Sequence, residues 1–146
     1  MKANLTIHEW GMDSKSGRHK GGCAGSIAWI YEDQLFVFHA GDTMAIQIRD
    51  GQATVLTHSH ECNGGIYRFF GLGPELEIDV GAHSLEEGDR VLLFSDGVTK
   101  AFELLEAVEV VEEFTDIRRA VMELAQRSRH KGSSDDITVL LFEVED

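Results

Sequence analysis

The sequence predicts an α+β fold, an antiparallel β-sandwich flanked by helices. Two pairs of runs rich in aromatic and β-branched residues occupy residues 26–58, each pair around a short turn. A continuous apolar run, "GDRVLLFS", then gives way to apolar residues spaced three and four apart, the helical period. A last apolar run, "ITVLLFEV", follows the helical region. Many strands, two helices and one strand is the order of an α+β domain with mostly antiparallel pairing. A chain of 146 residues suits a single domain over 1–146.

Taken in order, "ANLTIHEW" alternates weakly and reads as a strand. "GMDSKSGRHKGGCAG" has no periodicity and is rich in Gly, Ser and charge, so it reads as a loop. "SIAWIYEDQLFVFHAGD" reads as a hairpin about "EDQ". "TMAIQIRDGQATVLTH" reads as a second hairpin about "RDG", where Gly51 accepts positive φ at little cost. Four strands in such quick succession suggest a meander. "ELEIDV" alternates as a strand does, and "GDRVLLFS" is apolar enough to be buried on both faces. Val98, Ala101, Phe102, Leu105 and Val108 then mark one helix. Ile117, Val121, Leu124 and Ala125 mark a second, with Thr115 as its N-cap and Arg127, Arg129 and His130 at its negative end. Both helices are expected against one outer face of the sandwich. "KGSSDD" is a loop before the final strand. Trp10 and Trp29 are expected in the core.

The formal net charge is −13, which excludes nucleic acid and anionic membrane as partners, since both require a basic patch. Much of the excess lies in "ELLEAVEVVEEFTD" and "FEVED", which read as solvated faces. No apolar run approaches the roughly 20 residues that cross a bilayer. "MKANLTIHEW" has no long apolar segment of the signal-peptide kind, so the expected location is cytoplasmic. Cys23 and Cys62 lie far apart without zinc-type spacing and read as reduced thiols.

Three acidic sites share one setting. Asp42 ends the strand "LFVFHAG", Asp96 ends "RVLLFS", and Asp135 and Asp136 precede "ITVLLFEV". Each is compatible with an ordinary turn, because Asp-Gly and Gly-Asp pairs favour turns. If the strand ends converge, however, the carboxylates repel, and a divalent cation relieves that repulsion. Hard oxygen donors favour Mg²⁺ or Mn²⁺ over zinc. "THSHEC" sets His58, His60 and Glu61 together, and His-x-His on a strand shares one face. With no third ligand at suitable spacing, it reads instead as a loop or strand-end pair. His39 reads as a strand side chain with a local hydrogen bond.

"GDRVLLFSDGVTKAF" and "GSSDDITVLLFEV" resemble two motifs of the metal-dependent protein phosphatases, the type-2C serine/threonine phosphatases and their bacterial sporulation- and stress-type relatives. "GGCAGSIAWI" resembles the family's Gly-Ser-Thr-Ala strand, "LFVFHAGDTMAIQIRDG" its Gly-Asp-Ser motif and hairpin, and "ATVLTHSH" its Leu-Thr-x-Asp-His segment. The likeness runs in order over about residues 21–144 and implies a shortened type-2C phosphatase-like fold. It implies Asp96 and Asp135 as direct metal ligands, with Asp136 beside the second. Asp42 would serve an additional, weaker metal position, and Gly97 would let the backbone turn sharply behind Asp96. It also implies hydrolysis of phosphoserine or phosphothreonine on protein by a metal-activated water, with two Mn²⁺ or Mg²⁺ ions.

The family's amino-terminal Asp-Gly motif, whose Asp bridges both metals, has no counterpart here, so the chain resembles the carboxy-terminal part of the domain. Three readings follow. "WGMDSKSGRHKGG" substitutes, with Asp13 as carboxylate and Arg18, His19 or Lys20 near phosphate. Another chain completes the sheet, as in a homodimer paired through the opening strand. Or catalysis is lost, leaving a binding or regulatory module with a protein partner. A small-molecule phosphoesterase is a further alternative.

Overall fold

The computed structural model describes residues 2–12 and 21–145. The chain runs α1 (Lys2–Gly11), β1 (Gly25–Tyr31), β2 (Gln34–Ala40), β3 (Met44–Arg49), β4 (Gln52–Val55), β5 (Glu61–Cys62), β6 (Gly65–Ile66), β7 (Asp79–Ser84), β8 (Arg90–Phe94), α2 (Asp96–Thr99), α3 (Leu104–Glu112), α4 (Ile117–His130) and β9 (Val139–Glu143). One antiparallel sheet has the order β1-β2-β7 and a second the order β4-β3-β8-β9, while β5 and β6 form a small ribbon. Leu35 and Val37 of the first sheet pack with Ala45 and Val91 of the second, so the two sheets form the expected sandwich. On the other side of the second sheet, Ile46, Ile48, Leu92 and Phe94 pack with Val98, Val108, Val111 and Leu124. The helices therefore cover that outer face, as the sequence predicts.

Both hairpins form. Tyr31 pairs with Gln34 around Glu32 at φ 53°, and Arg49 pairs with Gln52 around Asp50 at φ 51° and Gly51 at φ 72°. In the second hairpin, two left-handed residues match the right-handed twist of the flanking strands. The hairpins do not join as a meander, however, because the chain changes sheet between them. It does so at Gly41, φ 123°, where a Cβ would lie 2.3 Å from the Ala24 Cβ. β3 then runs centrally between β4 and β8, with Ala45, Ile46, Gln47 and Ile48 all buried.

The opening segment is a helix, not a strand. Asn4 is buried; its Nδ2 donates to the Gly73 and Pro74 carbonyls and its Oδ1 accepts from the Gly71 N–H. His8 Nδ1 lies 3.0 Å from the Gly71 carbonyl oxygen, and Ile7 packs against Gly71. Contacts at positions 4, 7 and 8 have helical spacing, and they outweigh a weak alternation that finds no sheet edge here. The strand expected at "ELEIDV" starts later, at Asp79, where pairing with β2 sets Val80 opposite Phe38 and Ala82 opposite Phe36. The single helix expected after Phe94 is two, α2 and α3. Glu103 begins the second by a capping box, in which the Glu103 side chain accepts from the Glu106 N–H and the Glu106 side chain from the Glu103 N–H. Asp116, not Thr115, caps α4, accepting from the Arg118 and Arg119 N–H groups. Arg127, Arg129 and His130 do occupy its last turn.

Neither tryptophan is in the core. Trp10 is 85% exposed on α1 and Trp29 is 54% exposed on the outer face of the first sheet, 5.3 Å from the Phe36 ring. Ile27, Tyr31 and Val80 share that exposure. An apolar strand does not declare which of its faces another layer will cover. Cys23 and Cys62 are free thiols. Among the described residues, no helix is long and apolar enough to cross a membrane.

One polar cluster anchors the far end of the sandwich. The buried Asp89 carboxylate accepts from Arg49 Nε and Nη2, from Gln47 Nε2 and from the Glu86 N–H. The Arg49 guanidinium is the main reason its carboxyl is held below the usual range. A depressed folded-state pKa contributes stability above the ordinary carboxylate range, and that contribution is lost as pH falls through the folded value. Asp89→Ala is expected to cost about 2–4 kcal/mol at pH 7. In urea unfolding, the gap to the parent should narrow below about pH 4. An unchanged midpoint at pH 7 would remove Asp89 from the account of stability.

Candidate metal centre

The site is made by two loops stitched side by side. β8 ends at Phe94 and β9 begins at Val139, paired with each other in register. Beyond that pair, the Ser95 N–H donates to the Thr138 carbonyl, and the Thr138 N–H donates back to Ser95 Oγ, each at 3.0 Å. Ser95 Oγ donates in turn to the Asp136 carbonyl at 3.1 Å. The ladder is thus extended past the sheet, and Asp96 and Asp135 are carried to the same rim.

The two carboxylates share one cation. Lys100 Nζ donates to Asp96 Oδ2 at 2.5 Å and to Asp135 Oδ2. Asp135 Oδ1 accepts from the Asp136 N–H at 2.9 Å, which fixes the carboxylate's orientation. The Lys100 ammonium, and after it the Asp136 N–H, holds the Asp135 carboxyl below its usual range. The same carboxylates raise Lys100 above the ordinary lysine value, Asp135 first. Asp96 and Asp135 are 31% and 44% exposed, so the rim is open to solvent and to a ligand.

Close packing, beyond the turn expected behind Asp96, calls for glycine at position 97. Gly97 is not among the residues with positive φ, so no sharp left-handed turn depends on it. The Asp136 carbonyl oxygen lies 2.4 Å from where its Cβ would stand, and Ile137 Cγ1 lies 3.0 Å away. The second loop packs on the bare backbone of the first turn of α2.

Asp42 follows the crossover glycine Gly41. Among the described residues, no hydrogen bond or ion pair joins it to Asp96 or Asp135. It does lie at the same end of the sandwich, because its neighbour Thr43 lines a cleft of about 310 Å³ together with Ser26, Ser95 and Thr138. Beneath it is a buried histidine pair with rings 5.0 Å apart. His39 Nε2 lies 3.0 Å from both the Gly41 and His58 carbonyls, so it carries the proton. Nδ1 therefore accepts from Ser26 Oγ, which in turn accepts from Thr43 Oγ1. Burial, then the neighbouring His60, pushes the His39 pKa down. His60 Nδ1 accepts from the Gly41 N–H, and its Nε2 donates to Asp79, which Arg68 also holds. His58 is exposed and lies in a loop, so the two histidines share no strand face. His39 and His60 brace the crossover that carries Asp42.

Asp13, Arg18, His19 and Lys20 lie outside the described residues. Among the described residues, no group of three or more His, Cys, Asp or Glu is placed to hold a metal ion. Two carboxylates with an open face still fit one hard divalent cation, because Mg²⁺ commonly takes one or two carboxylates and completes its shell with water and phosphate oxygens. Sequence reasoning missed Lys100, Ser95, Ser26 and Thr43. For Lys100 a signal was present, since it stands four residues after Asp96 in a helical pattern. Gly97→Ala is expected to displace the Asp135–Asp136 loop and lower the melting temperature by several degrees. A fully folded variant with parental melting would show that the loop shifts at no cost.

Residues 26–145 match the family model described as "Stage II sporulation protein E (SpoIIE)". "Probable protein phosphatase 2C 45" of Oryza sativa subsp. japonica is 27% identical over 165 residues, covering 89% of this chain and 57% of that protein. "Serine/threonine protein phosphatase PstP" of Mycobacterium tuberculosis is 29% identical over 137 residues, covering 78% of this chain and 26% of that one. The crystal structure of the PstP catalytic domain in complex with two manganese ions superposes with a TM-score of 0.87 at 22% identity, over 98% of this chain and 67% of that one. The chain spans about half the length of the curated relatives from rice and Arabidopsis that it matches. With the stitched carboxylate rim, the helix-flanked sandwich and a family match over most of its length, the chain belongs to the stage II sporulation protein E family, on the type-2C protein phosphatase fold.

Proposed function

We propose that this chain is a phosphatase-type hydrolase that cleaves phosphoserine and phosphothreonine esters on protein, with Mn²⁺ or Mg²⁺ held at Asp96 and Asp135. The observation that carries this reading is the meeting of those two carboxylates, from segments 39 positions apart (96 and 135), over one cation position. The substrate class is supported by the names of the relatives, a type-2C protein phosphatase and a serine/threonine protein phosphatase. We read residues 1–146 as one domain acting in the cytoplasm.

Bound divalent ions supply a water whose pKa falls toward ~7 and a positive field for the phosphoryl oxygens. The chain supplies the rest. Asp135 is oriented by the Asp136 N–H at Oδ1, which leaves Oδ2 for the shared cation position. Asp96 is set at the start of α2 by the packing of Gly97 beneath the Asp136 carbonyl. Asp42, braced by His39 and His60 at the same end, is the candidate for a second and weaker ion position.

A second reading is a regulatory or binding module of the same fold, completed by a partner chain or by a second copy. It is favoured by the pair of carboxylates that share a cation where a two-ion site needs more ligands.

Hydrolysis of p-nitrophenyl phosphate by the purified chain, with MnCl₂ and with EDTA, separates the readings. A hydrolase should need the metal and should lose on the order of 100-fold in rate in Asp96→Asn. A phosphothreonine peptide assayed in parallel distinguishes a protein phosphatase from a small-phosphoester hydrolase. A folded protein without metal-dependent turnover supports the binding module. Independently of turnover, MnCl₂ should raise the melting temperature and EDTA should reverse the shift, because a ligand of the folded state stabilises it by mass action.

A further inference from the structure

Lys100 makes two bonds of different origin. Its bond to Asp96 is an i,i+4 pair, the ordinary product of helical spacing at a surface. Its bond to Asp135 has no such origin, because that residue lies 35 positions away and arrives only through the Ser95 stitch. Both bonds use an Oδ2 atom, so the ammonium stands between the two carboxylates. A divalent ion held by those same two Oδ2 atoms would stand in the same place.

We infer that Lys100 is the built-in cation of this site: its ammonium occupies the point between Asp96 and Asp135 that a divalent ion would take, so a metal binds only by displacing it, and Lys100 sets the site's cation affinity. This rests on the reading of Asp96 and Asp135 as metal ligands.

Three features make the exchange workable. The Lys100 side chain is 51% exposed on a flexible stem, so the displaced ammonium has water to go to. Its anchor is the end of α2, where the Lys100 N–H donates to the Asp96 carbonyl, so the backbone need not move when the side chain swings out. Without either cation the carboxylates would face each other uncompensated, and the lysine relieves that repulsion in the metal-free protein. The lysine therefore protects the empty site at the expense of metal affinity.

Mn²⁺ titration by calorimetry and thermal unfolding, on the parent and on Lys100→Met and Lys100→Arg, tests this without reference to turnover. Lys100→Met keeps the stem and removes the charge. It should bind Mn²⁺ roughly tenfold or more tightly than the parent, the scale of one lost charge-assisted pair. Its metal-free form should melt below the parent, and saturating Mn²⁺ should close that gap. Lys100→Arg keeps the charge and should stay a weak binder. Far-UV circular dichroism at the titration temperature checks that each variant is folded. Equal affinity in parent and Lys100→Met, lost in Asp96→Asn, would overturn the role of Lys100 and leave the metal ligands standing. Weaker binding by folded Lys100→Met would also overturn it, since the lysine would then support the ion. Binding by neither protein at millimolar Mn²⁺ would overturn the inference and the metal-ligand reading together.

Discussion

Gly97 has no side chain, and the Asp136 carbonyl lies in the space where one would begin. That close approach lets the loop before β9 settle on the first turn of α2. Ser95 then fixes it with three hydrogen bonds, two to the backbone of Thr138 and one to the Asp136 carbonyl. Asp96 and Asp135 meet because of those contacts. The β8–β9 pairing beneath them depends on the same register, with Phe94 opposite Val139 and Leu92 opposite Leu141. A one-residue slip would turn each of these side chains to the opposite face and part the carboxylates.

Charge is organised around a few pinned cations. Arg90, on β8, donates to Glu143 of β9 and to the carbonyls of Phe114 and Thr115 in the α3–α4 connection. It ties the helical layer to the sheet at the opposite end of the strand from Asp96. Arg49 does the same for the Glu86–Asp89 turn. The acidic run "ELLEAVEVVEEFTD" is a solvated face with a buried stripe, since Ala107, Val108, Val110 and Val111 are buried while Glu106 and Glu109 are exposed. The large negative charge is therefore mostly ordinary surface, while Asp89 is buried against Arg49 and Asp96 and Asp135 meet over Lys100.

The two sheets differ in what covers them. Helices cover the second sheet, while the first presents Ile27, Trp29, Tyr31 and Val80 outward. Leu140 of β9 is 53% exposed on the side facing the first sheet, because the sandwich is open along that edge. The PstP catalytic domain that shares this frame is longer, and this chain accounts for 67% of it.

Much of this was determined locally by the sequence. Hairpin turns at Glu32–Asp33 and Asp50–Gly51, the buried β8, the amphipathic α4 and the motif pair around Asp96 and Asp135 all follow from neighbours along the chain. Contacts between distant residues decided the rest. α1 is a helix because Asn4 and His8 meet Gly71 across more than 60 residues. The hairpins lie in different sheets because Gly41 fits against Ala24. Trp29 is outside because no described layer covers its face. Residue types along the chain named the carboxylates, but only the folded chain could place Lys100 between them, because that requires two loops brought together by a serine and a missing side chain.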